Sequence, residues 1–334
     1  FAITSIFYNY KSGYQSALLV PTEILANQHF LNITRLFKNF GIRVELLTGK
    51  TSKKERKQIL QDLKSKEIDV LIGTHAVLED DVQFKNLGLV ITDEQHRFGV
   101  NQRNIFQNKG TLSDVLYMSA TPIPRTYALT IYGDMEISII KTKPNGRKEI
   151  KTELKTNKEI KEILKNILEE IKEDHKVYIV CPLIQQGEEP SNMMDTITLK
   201  EKLNKAFKEK IPIGLLHGRM KADEKENAMQ DFKDGTTRIL ISTTVIEVGV
   251  DIKEATLMVI FNAERFGLAT MHQLRGRIGR NSLDSKCILI SDKSSERLKI
   301  LVNSSDGFYI SEEDFKLRGE GDLFGTRQSG DMVF

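Results

Sequence analysis

Short, mostly apolar runs alternate along the chain with longer stretches in which apolar positions recur at helical spacing. The runs fall at residues 17–20, 44–47, 70–73, 87–92 and 115–119, and again at 177–181, 213–216, 239–242, 257–261 and 287–291. A strand that is apolar on both faces is what a parallel sheet covered by helices on each side requires. The runs therefore predict an α/β chain with two such sheets. Residues 1–8 read as a helix leading into the first run. Ile160, Ile163, Leu164, Ile167, Leu168 and Ile171 recur at helical spacing with Lys and Glu on the other face, which predicts a core-facing helix without a functional role. Between the two sets lies the basic stretch 141–148, whose Pro144 and Gly146 mark a linker or hinge. From about Glu296 the parallel pattern stops, and residues 314–330 are rich in glycine and charge. No repeat of solenoid length is present.

At 334 residues, 40% of them hydrophobic, the chain is long enough for two domains with well-buried cores, and disorder is not its main character. Its 49 Lys and Arg stand against 46 Asp and Glu, a net charge of +3. Binding to a polyanion must then come from local basic clusters instead of an overall field. Cys181 and Cys287 each sit inside an apolar run, without paired metal-ligand spacing, and read as buried free thiols. No apolar stretch approaches the roughly 20 residues of a membrane span, and no signal peptide opens the chain, so no membrane partner is expected and the cytoplasm is the expected compartment. The chain opens without Met, inside its first helix, and reads as a piece of something longer.

The run 87–92 delivers Asp93 and Glu94 to its carboxyl end. A carboxylate there can hold the Mg²⁺ that bridges nucleotide phosphates, and a second beside it can polarise the attacking water. Taken alone, the pair also reads as a solvated opening of a surface loop. Six further segments fall at the ends of predicted strands, where open parallel sheets place their ligands. Pro21-Thr-Glu-Ile-Leu-Ala26 puts Thr22 at a helix N-cap, which is plain capping or a helix start that offers N–H groups to a phosphate. Gly73-Thr-His-Ala-Val-Leu78 has the same layout, and Ser119-Ala-Thr-Pro-Ile-Pro-Arg-Thr126 closes a strand with two small hydroxyls before a proline-stiffened loop. Ser242-Thr-Thr-Val-Ile-Glu-Val-Gly-Val-Asp-Ile252 runs from a strand into a hydroxyl cluster, Gly249 and the carboxylate of Asp251. His217-Gly-Arg-Met220 is a nucleic-acid backbone contact or simply a turn. Gln273-Leu-Arg-Gly-Arg-Ile-Gly-Arg280 presents three arginines at i, i+2 and i+5 among glycines. That set suits phosphate oxygens and the charge that develops on a transferred phosphoryl group, or else forms a solvated basic patch.

Together and in this order, the segments resemble the motor core of superfamily 2 helicases and translocases. The wording of Asp93-Glu-Gln-His-Arg-Phe-Gly-Val100, Ser119 to Thr126, Thr243 to Asp251 and Gln273 to Arg280 resembles the RecG family, over nearly the whole chain. The resemblance implies two RecA-like parallel-sheet domains of the P-loop NTPase type, at residues 1–143 and 144–295. The start of a helical hairpin follows at 296–334, a segment that the family shares with the transcription-repair coupling factor. It implies ATP and Mg²⁺ as cofactors, and an ATP-dependent DNA helicase that remodels stalled forks and recombination junctions in DNA repair. Its partner would be branched or forked DNA, bound largely without sequence preference by a monomeric motor in the bacterial cytosol.

The same resemblance implies roles for the matching residues. Asp93 would hold Mg²⁺, Glu94 would orient the attacking water, and Gln95 and His96 would link hydrolysis to domain movement. Thr22, Glu23, Thr74 and His75 would track one nucleic-acid strand, and Ser119 and Thr121 would couple the two ligand sites. In the second domain Gly249, Asp251 and Gln273 would approach the nucleotide, Arg277 and Arg280 would be arginine fingers, and Arg219, Thr243 and Thr244 would grip the strand backbone. Arg318, Arg327 and Gln328 match the hairpin segment, which would transmit the motor's strokes. The chain departs from the family in holding no G-x-x-x-x-G-K-[ST] loop, which the family places just before what is here Phe1, and no wedge domain. Alone it is expected to be inactive. The rival readings are a coupling factor-type translocase and a non-hydrolysing nucleic-acid-binding module, and the tail argues against RNA as substrate.

Overall fold

The computed structural model describes residues 1–94, 113–119, 136–140, 142, 148–182, 196–243 and 252–318. Gln95, His96, Thr121, Thr244, Gly249, Asp251, Arg327 and Gln328 lie outside the described residues. The described residues fall into two compact units, one reaching Ser119 and one running from Glu136 onward.

In the first unit α1 (Ala2–Lys11) precedes β1 (Gln15–Leu19), α2 (Glu23–Phe37), β2 (Val44–Leu47), α3 (Lys53–Ser65), β3 (Val70–Gly73), β4 (Leu87–Thr92) and β5 (Asp114–Tyr117). The strands are all parallel, in the order β2-β3-β1-β4-β5. Successive side chains of a strand point to opposite faces, which is why continuous apolar runs were needed. Ala17, Leu19, Leu71 and Val90 pack with Ile59 and Leu63 of α3. Leu18, Val20, Ile72, Leu89 and Ile91 pack with Ile6 of α1 and with Leu25, Ala26, Ile33 and Phe37 of α2.

The first strand begins two residues before the predicted run, at Gln15, whose side chain is fully buried. Its amide nitrogen donates to the Leu63 and Ile68 carbonyls, and its oxygen accepts from the Asn86 backbone N–H. Burial of a polar group is tolerable once every hydrogen bond is made, so Gln15 ties three segments together beneath the sheet.

At the other end of β3, Gly73 leaves no room for a side chain. A Cβ there would stand 2.0 Å from the Leu47 carbonyl oxygen and 2.6 Å from a methyl of Val77. Gly73→Ala is expected to destabilise the first unit by about 3 kcal/mol, because the backbone of β2 must move. Denaturant unfolding reads this directly, and an unchanged midpoint would show that β2 can yield without cost.

The second unit holds β6 (Lys151–Lys155), α4 (Ile160–Lys172), β7 (Lys176–Val180), α5 (Thr196–Ala206), β8 (Ile213–Leu216), α6 (Ala222–Asp234) and β9 (Ile239–Ser242). After these come β10 (Ala255–Ile260), α7 (Leu268–Arg275), β11 (Lys286–Ile290), α8 (Glu296–Asn303) and α9 (Gly307–Arg318). Its parallel sheet has the order β6-β11-β10-β7-β9-β8. One face packs against Ile163 and Ile167 of α4 and Leu199 and Leu203 of α5. Toward α6, the Tyr178 ring lies 4.8 Å from that of Phe232.

Strand β6 was not among the predicted runs. Lys-Thr-Glu-Leu-Lys lacks an apolar run because β6 is an edge strand, paired only with β11: Lys151 stays in water, while Glu153 and Lys155 are mostly covered but held in ion pairs. Cys181 and Cys287 are buried free thiols, as expected, and burial pushes the Cys287 thiol up to about 12, so it stays neutral and packs as a small apolar group. Among the described residues no helix is long and apolar enough to cross a membrane.

Candidate active site

The first unit gathers the predicted residues at the carboxyl end of its sheet. Thr22 follows β1, Thr74 and His75 follow β3, Asp93 and Glu94 follow β4, and Ser119 follows β5. The sheet order makes these strands neighbours, and the Asp93 N–H donates to the Leu19 carbonyl at 2.9 Å, which docks the acidic pair beside the end of β1. Thr22 does cap α2, its hydroxyl accepting from the Leu25 N–H at 3.4 Å, and Glu23 forms an ion pair with Lys50 at 3.6 Å. Thr74 is buried, and its hydroxyl oxygen has no hydrogen-bond partner, whereas His75 beside it is exposed. An unsatisfied buried hydroxyl calls for an explanation, and a ligand that draws it out supplies one.

Asp93 Oδ1 accepts the Glu94 backbone N–H at 2.9 Å, and Oδ2 lies 3.2 Å from His29 Nε2. Each oxygen thus has one anchoring contact and a lone pair to spare. Glu94 adopts a left-handed backbone with φ of +53°, an uncommon conformation for a residue with a side chain. It turns the chain sharply as β4 ends. Among the described residues no group of three His, Cys, Asp or Glu could hold a metal by itself. Two adjacent carboxylates at a strand's end are a donor set of the kind that Mg²⁺ takes together with substrate phosphates.

In the second unit Thr243 follows β9, its N–H donating to the Leu216 carbonyl at 3.2 Å and its hydroxyl buried without a hydrogen-bond partner. Arg219 is exposed in the turn closed by the Met220 N–H to the His217 carbonyl at 3.1 Å. The arginine segment does not stand at a strand's carboxyl end, which corrects the sequence reading. Gln273 and Arg275 belong to α7, which carries the chain back along the sheet, about 12 Å for its eight residues. The turn after it packs against Ile150 and Ser285, which lead into β6 and β11, so Arg277 and Arg280 sit toward the amino ends of these strands.

Gly279 makes that turn possible, with φ of +66° and only 2.9 Å between a hypothetical Cβ and Ile150. The Arg277 N–H donates to the Leu274 carbonyl at 2.9 Å, Arg280 Nε donates to the Gly276 carbonyl at 3.2 Å, and Ile278 between them is fully buried. The first of the three arginines plays a different part. Arg275 is buried, and its Nη1 donates to the Thr152 hydroxyl at 3.1 Å and to the Leu301 and Ser304 carbonyls at 2.7 and 2.9 Å. Burial lowers its pKa, while the carbonyls at the end of α8 suit a cation. It joins α7 to β6 and α8.

The chain matches the family model of DEAD/DEAH box helicases over residues 1–130 and that of the helicase conserved C-terminal domain over residues 156–282. It is 47% identical to the ATP-dependent DNA helicase RecG of Bacillus subtilis (strain 168) over 333 residues, 98% of this chain and 49% of that protein. The RecG of Streptococcus pneumoniae serotype 4 is also 47% identical, over 98% of this chain and 49% of its own length. The chain belongs to the RecG family. A solved structure of RecG bound to a three-way DNA junction superposes with a TM-score of 0.81 at 43% identity, covering 96% of this chain and 42% of that one. The two parallel-sheet units are therefore RecA-like helicase domains. The chain spans about half the length of the curated relatives it matches.

Sequence reasoning missed two residues of this region. Arg275 was grouped with Arg277 and Arg280 in one arginine set and given no role of its own, and its burial and its bonds to β6 and the end of α8 set it apart. His29 was missed because it lies inside a helix, without a motif of its own. The available signal was its spacing, since Thr22, Ala26, His29 and Ile33 fall on one stripe of α2, the stripe that faces the sheet.

Proposed function

We propose that this chain is most of the two-domain motor of an ATP-driven DNA translocase that remodels branched DNA. The carrying observation is the acidic pair Asp93-Glu94 at the carboxyl end of β4 in a chain of the RecG family. In this reading the motor domains are residues 1–143 and 144–295, and 296–334 begins the segment that transmits movement to the duplex. Asp93 would hold Mg²⁺ together with the nucleotide, and Glu94 is placed to accept a proton from the attacking water. Bound Mg²⁺ supplies neutralisation of phosphate charge. Arg277 and Arg280 counter the charge that develops on the transferred phosphoryl group. Gly249, Asp251 and Gln273 contact the nucleotide, and Gln95, His96, Ser119 and Thr121 relay its state.

Thr22, Glu23, Thr74 and His75 in one domain and Arg219, Thr243 and Thr244 in the other hold the strand backbone. The unpartnered hydroxyls of Thr74 and Thr243 support that assignment. Backbone contacts carry no sequence information, so binding should weaken steeply with salt and depend little on sequence. We place the activity in the cytoplasm.

The test is ATP hydrolysis and fork unwinding by the whole gene product, with branched DNA expected to stimulate hydrolysis. DNA binding without any ATP hydrolysis would overturn the reading in favour of a module that only binds. Changing Arg327 and Gln328 together to Ala is expected to leave DNA-stimulated hydrolysis largely intact while fork unwinding falls well below one tenth of normal, about the scale of a lost coupling free energy. If unwinding per ATP held steady, the tail would be a structural cap.

A further inference from the structure

We propose that His29 is a positioning residue for the Asp93 carboxylate. The inference rests on the reading of Asp93 as the Mg²⁺-holding group and adds to it a residue of α2 that no motif marks. His29 Nε2 lies 3.2 Å from Asp93 Oδ2, and both side chains are about three-quarters shielded from solvent. A carboxylate can only accept, so the imidazole carries its proton on Nε2 and donates.

The arrangement restrains the carboxylate at both oxygens. Oδ1 is held by the Glu94 backbone N–H at 2.9 Å, a contact between adjacent residues that by itself leaves the carboxylate free to turn with the loop. Oδ2 is held from a different element, 64 residues away in sequence. With both contacts made, the plane of the carboxylate is set relative to the sheet, and each oxygen keeps a lone pair for the cation or its water. Without His29 the carboxylate can rotate, and ordering it becomes part of the cost of binding the cation.

The donor itself sits on rigid support. Thr22 caps the start of α2, and Ala26 and Ile33, which flank His29 on the same stripe, are buried against the sheet. The imidazole therefore has little freedom to follow a wandering carboxylate. Groups that hydrogen-bond a ligating side chain from behind usually influence metal affinity more than their distance from the metal suggests, by about 10- to 100-fold when removed.

The test uses the whole gene product and a fluorescent, non-hydrolysable ATP analogue, titrated with Mg²⁺ at equilibrium so that no turnover is needed. His29→Ala is expected to raise the Mg²⁺ concentration for half-maximal analogue binding by about tenfold. Hydrolysis at saturating Mg²⁺ should change far less, which separates positioning from chemistry. His29→Gln, which restores an N–H donor near the same place, should recover most of the wild-type Mg²⁺ dependence. His29→Phe, which keeps the ring's bulk without a donor, should behave like Ala and serves in its place if Ala fails to fold.

An unchanged Mg²⁺ midpoint in the Ala or Phe variant overturns the proposal. So does a Gln variant as impaired as Phe, because the shift would then report packing. Asp93→Asn separates this from failure of the underlying reading. If Asp93→Asn loses Mg²⁺-dependent binding while His29→Phe keeps it, His29 alone is excluded. If Asp93→Asn binds as the wild type does, the assignment of Asp93 itself falls.

Discussion

Replacing Arg280 with Ala in the whole gene product is expected to lower DNA-stimulated ATP hydrolysis by about 10³-fold, some 4 kcal/mol of transition-state stabilisation, while DNA affinity stays near normal. The turn that carries Arg280 is preorganised. Gly279 takes a left-handed φ, Ile278 is fully buried, and Arg280 Nε is tied to the Gly276 carbonyl at 3.2 Å. A planar guanidinium held this way can meet phosphoryl oxygens at two points without first losing the freedom of a flexible chain. Arg280 is also only half-buried, so truncating it leaves no cavity of core size. The measurement pairs steady-state hydrolysis with DNA binding in the absence of nucleotide. Equal loss of both would make Arg280 a DNA contact.

The second large effect is expected at Glu94. Glu94→Gln should still bind ATP with Mg²⁺ but hydrolyse it about 10²- to 10⁴-fold more slowly, the range expected when a positioned base is removed. The substitution preserves size and leaves the backbone as it is, including the φ of +53° and the N–H that Asp93 Oδ1 accepts. Nucleotide binding and turnover should therefore come apart, with the analogue's affinity close to that of the wild type. Near-normal turnover would remove Glu94 from the chemistry and leave its left-handed conformation as a turn with no catalytic part.

What the sequence by itself determined was whatever a local pattern enforces. A parallel strand between two helical layers is apolar at most positions, so nearly all the strands were legible, and hydroxyl and acidic residues just past them marked the carboxyl end of the first sheet. The order of the motifs was enough to point to the family. Gln15, β6, Arg275, His29 and the siting of Arg277 and Arg280 were decided only in three dimensions.

Gln15 is polar in composition yet sits fully inside, because three partners far apart in sequence satisfy it. β6 has no apolar run, because an edge strand needs burial on fewer sides. Arg275 differs from Arg277 and Arg280 through its bonds to β6 and to the end of α8, and His29 earns its place from a carboxylate 64 residues away. The arginine turn lies toward the amino ends of β6 and β11, because α7 runs back along the sheet before the turn begins. Burial and hydrogen bonding between distant segments are properties of the packed chain. A one-dimensional pattern records which residues can form a strand or a helix, but not which of several equal-looking side chains the packing will seal, bond or leave open to a ligand.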